Sequence, residues 1–246
     1  MRLRPVKRYG VSFAMEEMTG RYSTTMILIA AAIVVLGCGP AIHAGGVIAS
    51  SQRSFKPVDV LEVEKLLSDL GYWILKVDAK RDASTRHAIM AFQKVEGRKR
   101  TGVLSAADIE ALRFAGRPEA RSQTGATHVE IDLTRQVLFL VDSSGKVTHI
   151  LPVSSGNEKR YFDQGKWQIA HTPRGHFRIV HRINGVRKAS LGNLYYPNYF
   201  YGGVAIHGSN SIPAYPASHG CVRIPRFADR AFFGMVKIGT EVFVYD

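Results

Sequence analysis

Cysteine is almost absent: the 246 residues contain two, Cys38 and Cys221. That excludes a disulfide framework and a four-cysteine zinc site. Acidic residues are also scarce. Asp and Glu total 20 against 33 Lys and Arg, a formal charge of +13 at neutral pH. Such a chain suits an anionic partner, whether nucleic acid, acidic lipid or an acidic wall polymer. No low-complexity tract dominates. A composition that is 46% hydrophobic and 10% aromatic excludes wholesale disorder and is enough for one good core or two modest ones.

The long apolar run lies near the start. Residues Met26 to Gly37 read MILIAAAIVVLG, preceded by Arg2, Arg4, Lys7, Arg8 and Arg21 against Glu16 and Glu17, and followed by the small residues Gly39, Pro40, Ala41 and Ala44. A basic segment, an apolar run and a small-residue exit describe an export signal, with Met15 and Met18 as alternative starts. Two other forms stay open. No Lys, Arg, Asp or Glu occurs from Met26 to Gln52, so residues 26–49 are long enough for an uncleaved membrane anchor, although Gly39, Pro40 and His43 weaken it. Val35-Leu36-Gly37-Cys38 resembles a lipobox with an unusual Leu before the Gly, which would lipidate Cys38. Residues 1–44 carry five of the basic and two of the acidic residues, leaving 28 against 18 and a charge of +10 on the mature chain. The expected location is the periplasm or cell wall. Cys221 is then the one thiol without a partner in its own chain, either a reactive group or a buried, inert one.

The expected organisation is an export signal or anchor at 1–44, a linker at 45–56, a helical domain at 57–116, a linker at 117–126 and a mainly-β domain at 127–246. Val63, Leu66, Leu67 and Leu70 form an apolar stripe at helical spacing that ends at Gly71. Thr85, Ala88, Ile89 and Phe92 mark a second helix that stops before Gly97. Ser105 with Asp108 forms a capping-box start for a third. Three short helices make a compact but marginal domain, and a structural spacer is the plain reading. Leu66-Leu67-Ser68-Asp69-Leu70-Gly71-Tyr72, Asp78, Thr85 to Phe92-Gln93 and Gly102-Val103-Leu104 together resemble the peptidoglycan-binding domain family. The departure is Asp78-Ala79-Lys80-Arg81-Asp82, where that family usually has glycines. Residues 117–126, RPEARSQTGA, read as a polar linker.

From Thr127 the period becomes two. Val129, Ile131 and Leu133 alternate, as do Val137, Phe139 and Val141. After the turn at 143–146, further strand-like runs are 147–153, 177–180, 203–206 and 241–245. Short strands with glycine punctuation indicate a β-sandwich or barrel, and a helix has room only near Arg226 to Val236.

The chemistry gathers in two motifs, Ile206-His207-Gly208 and Ser218-His219-Gly220-Cys221-Val222-Arg223. A cysteine nucleophile needs a base for its proton, and an imidazole supplies one. In extended backbone His219 and Cys221 share a face, and His207 can reach the thiol from a neighbouring strand, so spacing leaves both histidines open as the base. Gly220 permits close approach of substrate, neighbouring N–H groups offer an oxyanion hole, and Arg223 suits a carboxylate. Two His and one Cys also fit a metal, but no carboxylate or third histidine sits at a recognised ligand spacing, so no metal and no cofactor is expected. His171, His176 and His181 recur every five residues and read as surface or loop histidines.

This constellation resembles the YkuD-type L,D-transpeptidase catalytic domain. Supporting marks are Ile131-Asp132-Leu133 with Gln136, Pro152 to Gly156, and Thr172 to Phe177. The loop between the two motifs is on the short side. The fold implied is α+β multidomain: a small three-helix peptidoglycan-binding-like domain, then a mainly-β YkuD-type sandwich or barrel. The resemblance implies that Cys221 is the nucleophile and His207 the general base, oriented by the Gly208 carbonyl. His219 lines the site, Gly220 and Cys221 supply oxyanion N–H groups beside Ser218, and Arg223 positions the donor. The implied partners are peptidoglycan stem peptides, as donor and acceptor, and the wall polymer. The implied reaction releases a terminal D-alanine and forms 3→3 crosslinks through a Cys221 thioester. Water as acceptor makes an L,D-carboxypeptidase, and a lipoprotein amine makes an anchoring enzyme. Carbapenem sensitivity is a further implication. The rivals are a non-catalytic wall-binding protein and a nucleic-acid binder; the intact Cys and His argue against the first and the export signal against the second. Membrane contact is expected only through the N-terminal segment.

Overall fold

A computed structural model describes residues 59–246. The expected signal, anchor or lipidation segment and the linker at 45–56 lie outside the described residues. Among the described residues no helix is long and apolar enough to cross a membrane.

The described chain begins with three helices, α1 (Val60–Asp69), α2 (Ala83–Val95) and α3 (Ala106–Phe114). Each is started by a side chain at its N-cap: Asp59, Asp82 and Ser105, the last in a full capping box with Asp108. Gly71 (φ +92°) closes α1. Its N–H bonds Ser68 O, and the Tyr72 N–H bonds Leu67 O, which satisfies the last carbonyls of the helix. In the glycine-poor loop Ala79 sits at φ +63°. Glu64 holds it there. Its buried carboxylate accepts the N–H groups of Asp78 and Ala79, both at 2.9 Å, and the Thr85 hydroxyl at 2.8 Å.

The strands are β1 (His128–Asp132), β2 (Val137–Val141), β3 (Val147–Pro152), β4 (Arg160–Asp163), β5 (Lys166–Ile169), β6 (Gly175–Arg178), β7 (His181–Arg182), β8 (Val186–Ala189), β9 (Gly192–Tyr201), β10 (Val204–Ser209), β11 (Val222–Pro225) and β12 (Glu241–Tyr245). Helix α4 (Arg226–Met235) fills the one place the sequence left for a helix. One five-stranded sheet has the order β3-β2-β1-β12-β6; the other runs β11-β10-β9-β7 with β8 also on β9. Between the sheets lies one core, including Val129, Ile131, Leu138, Leu140, Ile206, Val222 and Ile224, with α4 contributing Ala228 and Phe232.

The first sheet is covered on its outer face as well. Val137, Phe139 and Val141 of β2 and Ile150 of β3 pack with Leu67, Phe92 and Leu112 of the helices. β2 therefore reads VLFLV, buried throughout, rather than alternating. A strand covered on both faces loses its polar positions. The segment after α1 also ties to the edge of the sheet: the Trp73 N–H donates to Ile150 O, and the Ile150 N–H to Gly71 O. Residues 117–126 form no helix or strand but are strapped down. Arg117 donates to Val147 O at 2.8 Å, and the N–H groups of Arg121 and Ser122 donate to the buried carboxylate of Glu130 at 3.0 and 2.7 Å.

Lys94 of α2 is fully buried, with its ammonium donating to the carbonyls of Val153 at 2.8 Å and Gln136 at 3.2 Å. Burial, assisted by the charge of Arg100, pushes its pKa down to about 7. A lysine depressed in the fold favours its neutral form, so its penalty is present in full below pH about 7 and is relieved as pH rises towards the unfolded value of 10.5. Across that window the wild type should gain stability over Lys94→Met, by up to about 1.4 kcal/mol per pH unit. Urea unfolding of both proteins at several pH values checks this; parallel pH profiles would refute it.

Candidate active site

β10 and β11 pair in parallel, with Ile206 opposite Val222 and His207 opposite Arg223. The residue before Val222 is Cys221, so its sulfur comes to the neighbouring strand, where the Ala205 N–H donates to Sγ at 3.4 Å. The thiol proton rests on Gly203 O at 3.7 Å. Cys221, His207, His219, Ser218 and Arg223 all line one cavity of about 440 Å³.

The loop between the strands, residues 210–221, is fixed from several sides. The Ala217 and Ser218 N–H groups donate to Ser155 O at 3.0 and 2.8 Å. Ser155 is held in turn by Gln136, whose amide donates to Ser155 Oγ at 2.7 Å and accepts from the Ser155 N–H at 2.9 Å. The Thr172 hydroxyl accepts from the Gly156 N–H at 2.9 Å and donates to Gly220 O at 2.6 Å. Arg100, in the loop after α2, donates to Ala214 O at 3.2 Å. The motifs around Gln136, Pro152–Gly156 and Thr172 are thus the clamps of the loop that carries Cys221.

His207 is buried, and its Nδ1 lies 2.8 Å from Gly208 O. A carbonyl only accepts, so Nδ1 carries the hydrogen and Nε2 keeps the lone pair. Burial is the main cause that lowers the His207 pKa, to about 4; the Gly208 carbonyl opposes it and the Arg223 charge adds to it. Burial also raises the Cys221 thiol, against the Ala205 N–H and the charges of Arg223 and Arg187. At neutral pH the pair is therefore thiol and neutral imidazole, not an ion pair.

Two expectations are corrected. Gly220 has φ +131°, which an L side chain rarely adopts, so the backbone from His219 to Cys221 is not an extended strand and even spacing does not put both on one face. His219 is exposed and stands edge-on to Tyr161, ring centres 4.7 Å apart, as part of the cavity wall. The Gly220 N–H is already occupied by Ser218 Oγ at 3.0 Å, and that hydroxyl donates to Cys221 O at 2.5 Å. Gly220 and Ser218 thus shape the turn, and neither offers a free donor to an oxyanion. Gly208 likewise stands behind His207, packed so closely on Asp229 that a side chain there would collide with the carboxylate. Its carbonyl serves His207, not substrate. His171, His176 and His181 are exposed; the last two lie on β6 and β7 rather than in loops. Among the described residues no three His, Cys, Asp or Glu side chains converge as a metal-ligand set.

Tyr161, Arg187, Tyr195 and Tyr199 also line the cavity and escaped the sequence reading. They come from β4, β8 and β9. The β4–β5 hairpin had a signal: Gln164 (φ +49°) and Gly165 (φ +77°) make the tight turn between aromatic-bearing strands. β9 was masked by Pro197 and by its mixed burial.

A thiol and a neutral imidazole lining one cavity define a cysteine–histidine site. Residues 126–244 match the family described as L,D-transpeptidase catalytic domain, and residues 56–112 match the putative peptidoglycan binding domain. The L,D-transpeptidase of Xylanimonas cellulosilytica is 41% identical, covering 77% of this chain and 94% of that one, with a TM-score of 0.71. This chain belongs to the L,D-transpeptidase family, and its substrate class is peptidoglycan. An L,D-transpeptidase of Stackebrandtia nassauensis is 22% identical over 76% of this chain and 90% of that one, TM-score 0.45. The C442S mutant of the Enterococcus faecium L,D-transpeptidase is 26% identical over 49% and 50%, TM-score 0.40. Comparison with curated protein sequences gives no match.

The depressed His207 pKa sets an acid limit. Alkylation of Cys221 by iodoacetamide should hold from neutral pH down to about 5 and fall as His207 protonates near pH 4, not near the ordinary 6.5. At pH 7, His207→Ala should slow it about 100-fold, the contribution typical of a positioned base. An acid limb near 6.5 would show that the imidazole is not desolvated.

Proposed function

We propose that the protein is exported and forms 3→3 crosslinks between tetrapeptide stems through a Cys221 thioester. The observation that carries this reading is the shared cavity of Cys221 and His207, with Nδ1 of His207 pinned to Gly208 O so that Nε2 is the acceptor. The thiol proton turns from Gly203 O to Nε2 as sulfur attacks the carbonyl carbon of the third stem residue. The oxyanion forms beside the Cys221 N–H, which has no protein acceptor among the described residues. The imidazolium then gives its proton to the departing D-alanine nitrogen, the C–N bond breaks and the thioester remains. An amine of a second stem attacks that thioester, loses its proton to His207 and returns the thiol. Burial suits this order, because charge develops on sulfur and imidazole only while substrate fills the site.

With purified tetrapeptide muropeptides, wild type should release D-alanine and yield a crosslinked dimer, and intact mass should show the acyl-enzyme. Cys221→Ala should abolish all three. His207→Ala should lose at least about 100-fold in acylation, while His219→Ala, altering only the wall beside Tyr161, should lose about tenfold or less. A wild type that releases D-alanine without dimer is a carboxypeptidase. A wild type that forms no acyl-enzyme, with stems or with a carbapenem, belongs to the non-catalytic class.

The basic segment and apolar run of residues 1–44 support export, and the +10 charge of the remainder suits an anionic wall. Cell fractionation with mass analysis should find the chain outside the cytoplasmic fraction, shortened near residue 44. A full-length chain in the cytoplasm would refute export.

A further inference from the structure

The active cavity is cationic without counter-charge. Its lining includes Arg187 and Arg223 and no Asp or Glu. Neither arginine makes a salt bridge among the described residues; Arg223 is half-buried, whereas Arg187 lies on the exposed strand β8. Arg223 sits on β11, in register with His207. Arg187 comes from β8, two strands beyond β10, and lines the same cavity as the sulfur, with Nη1 donating to Tyr199 Oη at 3.0 Å. That single bond leaves the other guanidinium N–H groups of Arg187, at the open side of the cavity, without a protein acceptor and free to meet a ligand. Both positive charges are felt at the sulfur. Guanidinium is the cation best fitted to a carboxylate, because its planar fork donates two parallel bonds.

Two unmatched guanidinium groups flanking a reactive thiol call for a carboxylate close to the bond that breaks. The α-carboxylate of the departing residue meets that condition, since only the amide nitrogen and one carbon separate it from the attacked carbonyl. Carboxylates elsewhere on the stem lie further along the chain. We propose that Arg187 is a specificity residue that, with Arg223, grips the free C-terminal carboxylate of the donor. This rests on the acyl-transfer reading for the identity of the donor, and on the cavity alone for its charge.

Two measurements separate these. The first compares alkylation of Cys221 by iodoacetate and by iodoacetamide, followed by intact mass. The ratio of the two rates cancels changes in thiol reactivity and needs no stem peptide. Wild type should favour iodoacetate, relative to a free thiol, and Arg187→Gln should lower the ratio about tenfold, with Arg187→Lys restoring part of it. The second compares tetrapeptides ending in D-alanine and in D-alaninamide. Wild type should acylate faster with the free acid, and Arg187→Gln should erase that preference mainly through KM. Ratios unchanged in Arg187→Gln, with its circular dichroism matching wild type, would overturn the assignment of Arg187. No thioester from either peptide in wild type would overturn the donor assignment and the acyl-transfer reading together, whatever the alkylation ratio.

Discussion

Everything at the site depends on the parallel pairing of β10 with β11. A parallel pair cannot be closed by a tight turn and needs about a dozen residues of connection. Here residues 210–221 are that connection, and Cys221 is its last member. The register that sets Ile206 opposite Val222 brings Cys221 to the Ala205 N–H and leaves His207 facing the same cavity. A loop of this length would wander without anchors. Ser155, Thr172 and Arg100 supply them, and the positive φ of Gly220 turns the chain sharply enough to bring the sulfur in.

Those anchors explain why the helical domain is part of the catalytic architecture rather than an appendage. Lys94 of α2 bonds the carbonyls of Gln136 and Val153, and Gln136 holds Ser155, which holds the Cys221 loop. The same helices cover the outer face of β2 and β3, and the segment after α1 bonds the open edge at Ile150. An exposed edge strand invites pairing with other chains, and this contact closes it.

The electrostatics follow from burial. Removing water from His207 and Cys221 disfavours charge on both, so the resting pair is neutral and the two arginines supply the positive field in advance of substrate.

Much of this was legible in the chain. Periodicity marked the stripe of α1, the Ser105 capping box and the strand at 241–245, because local hydrogen bonds and side-chain alternation are written in near neighbours. The motifs at 206–208 and 218–223 named the thiol and both imidazoles for the same reason: reactive groups carry distinctive side chains. The tertiary structure alone decided what each does. Gly220 donates to Ser218 instead of to substrate, and Arg187 and Tyr199 join the site from strands that sequence patterning did not reveal. Residue type determines which chemistry is available. Which N–H is free, which guanidinium lacks a partner and which histidine is dry depend on groups distant in the chain, and only folding brings those together.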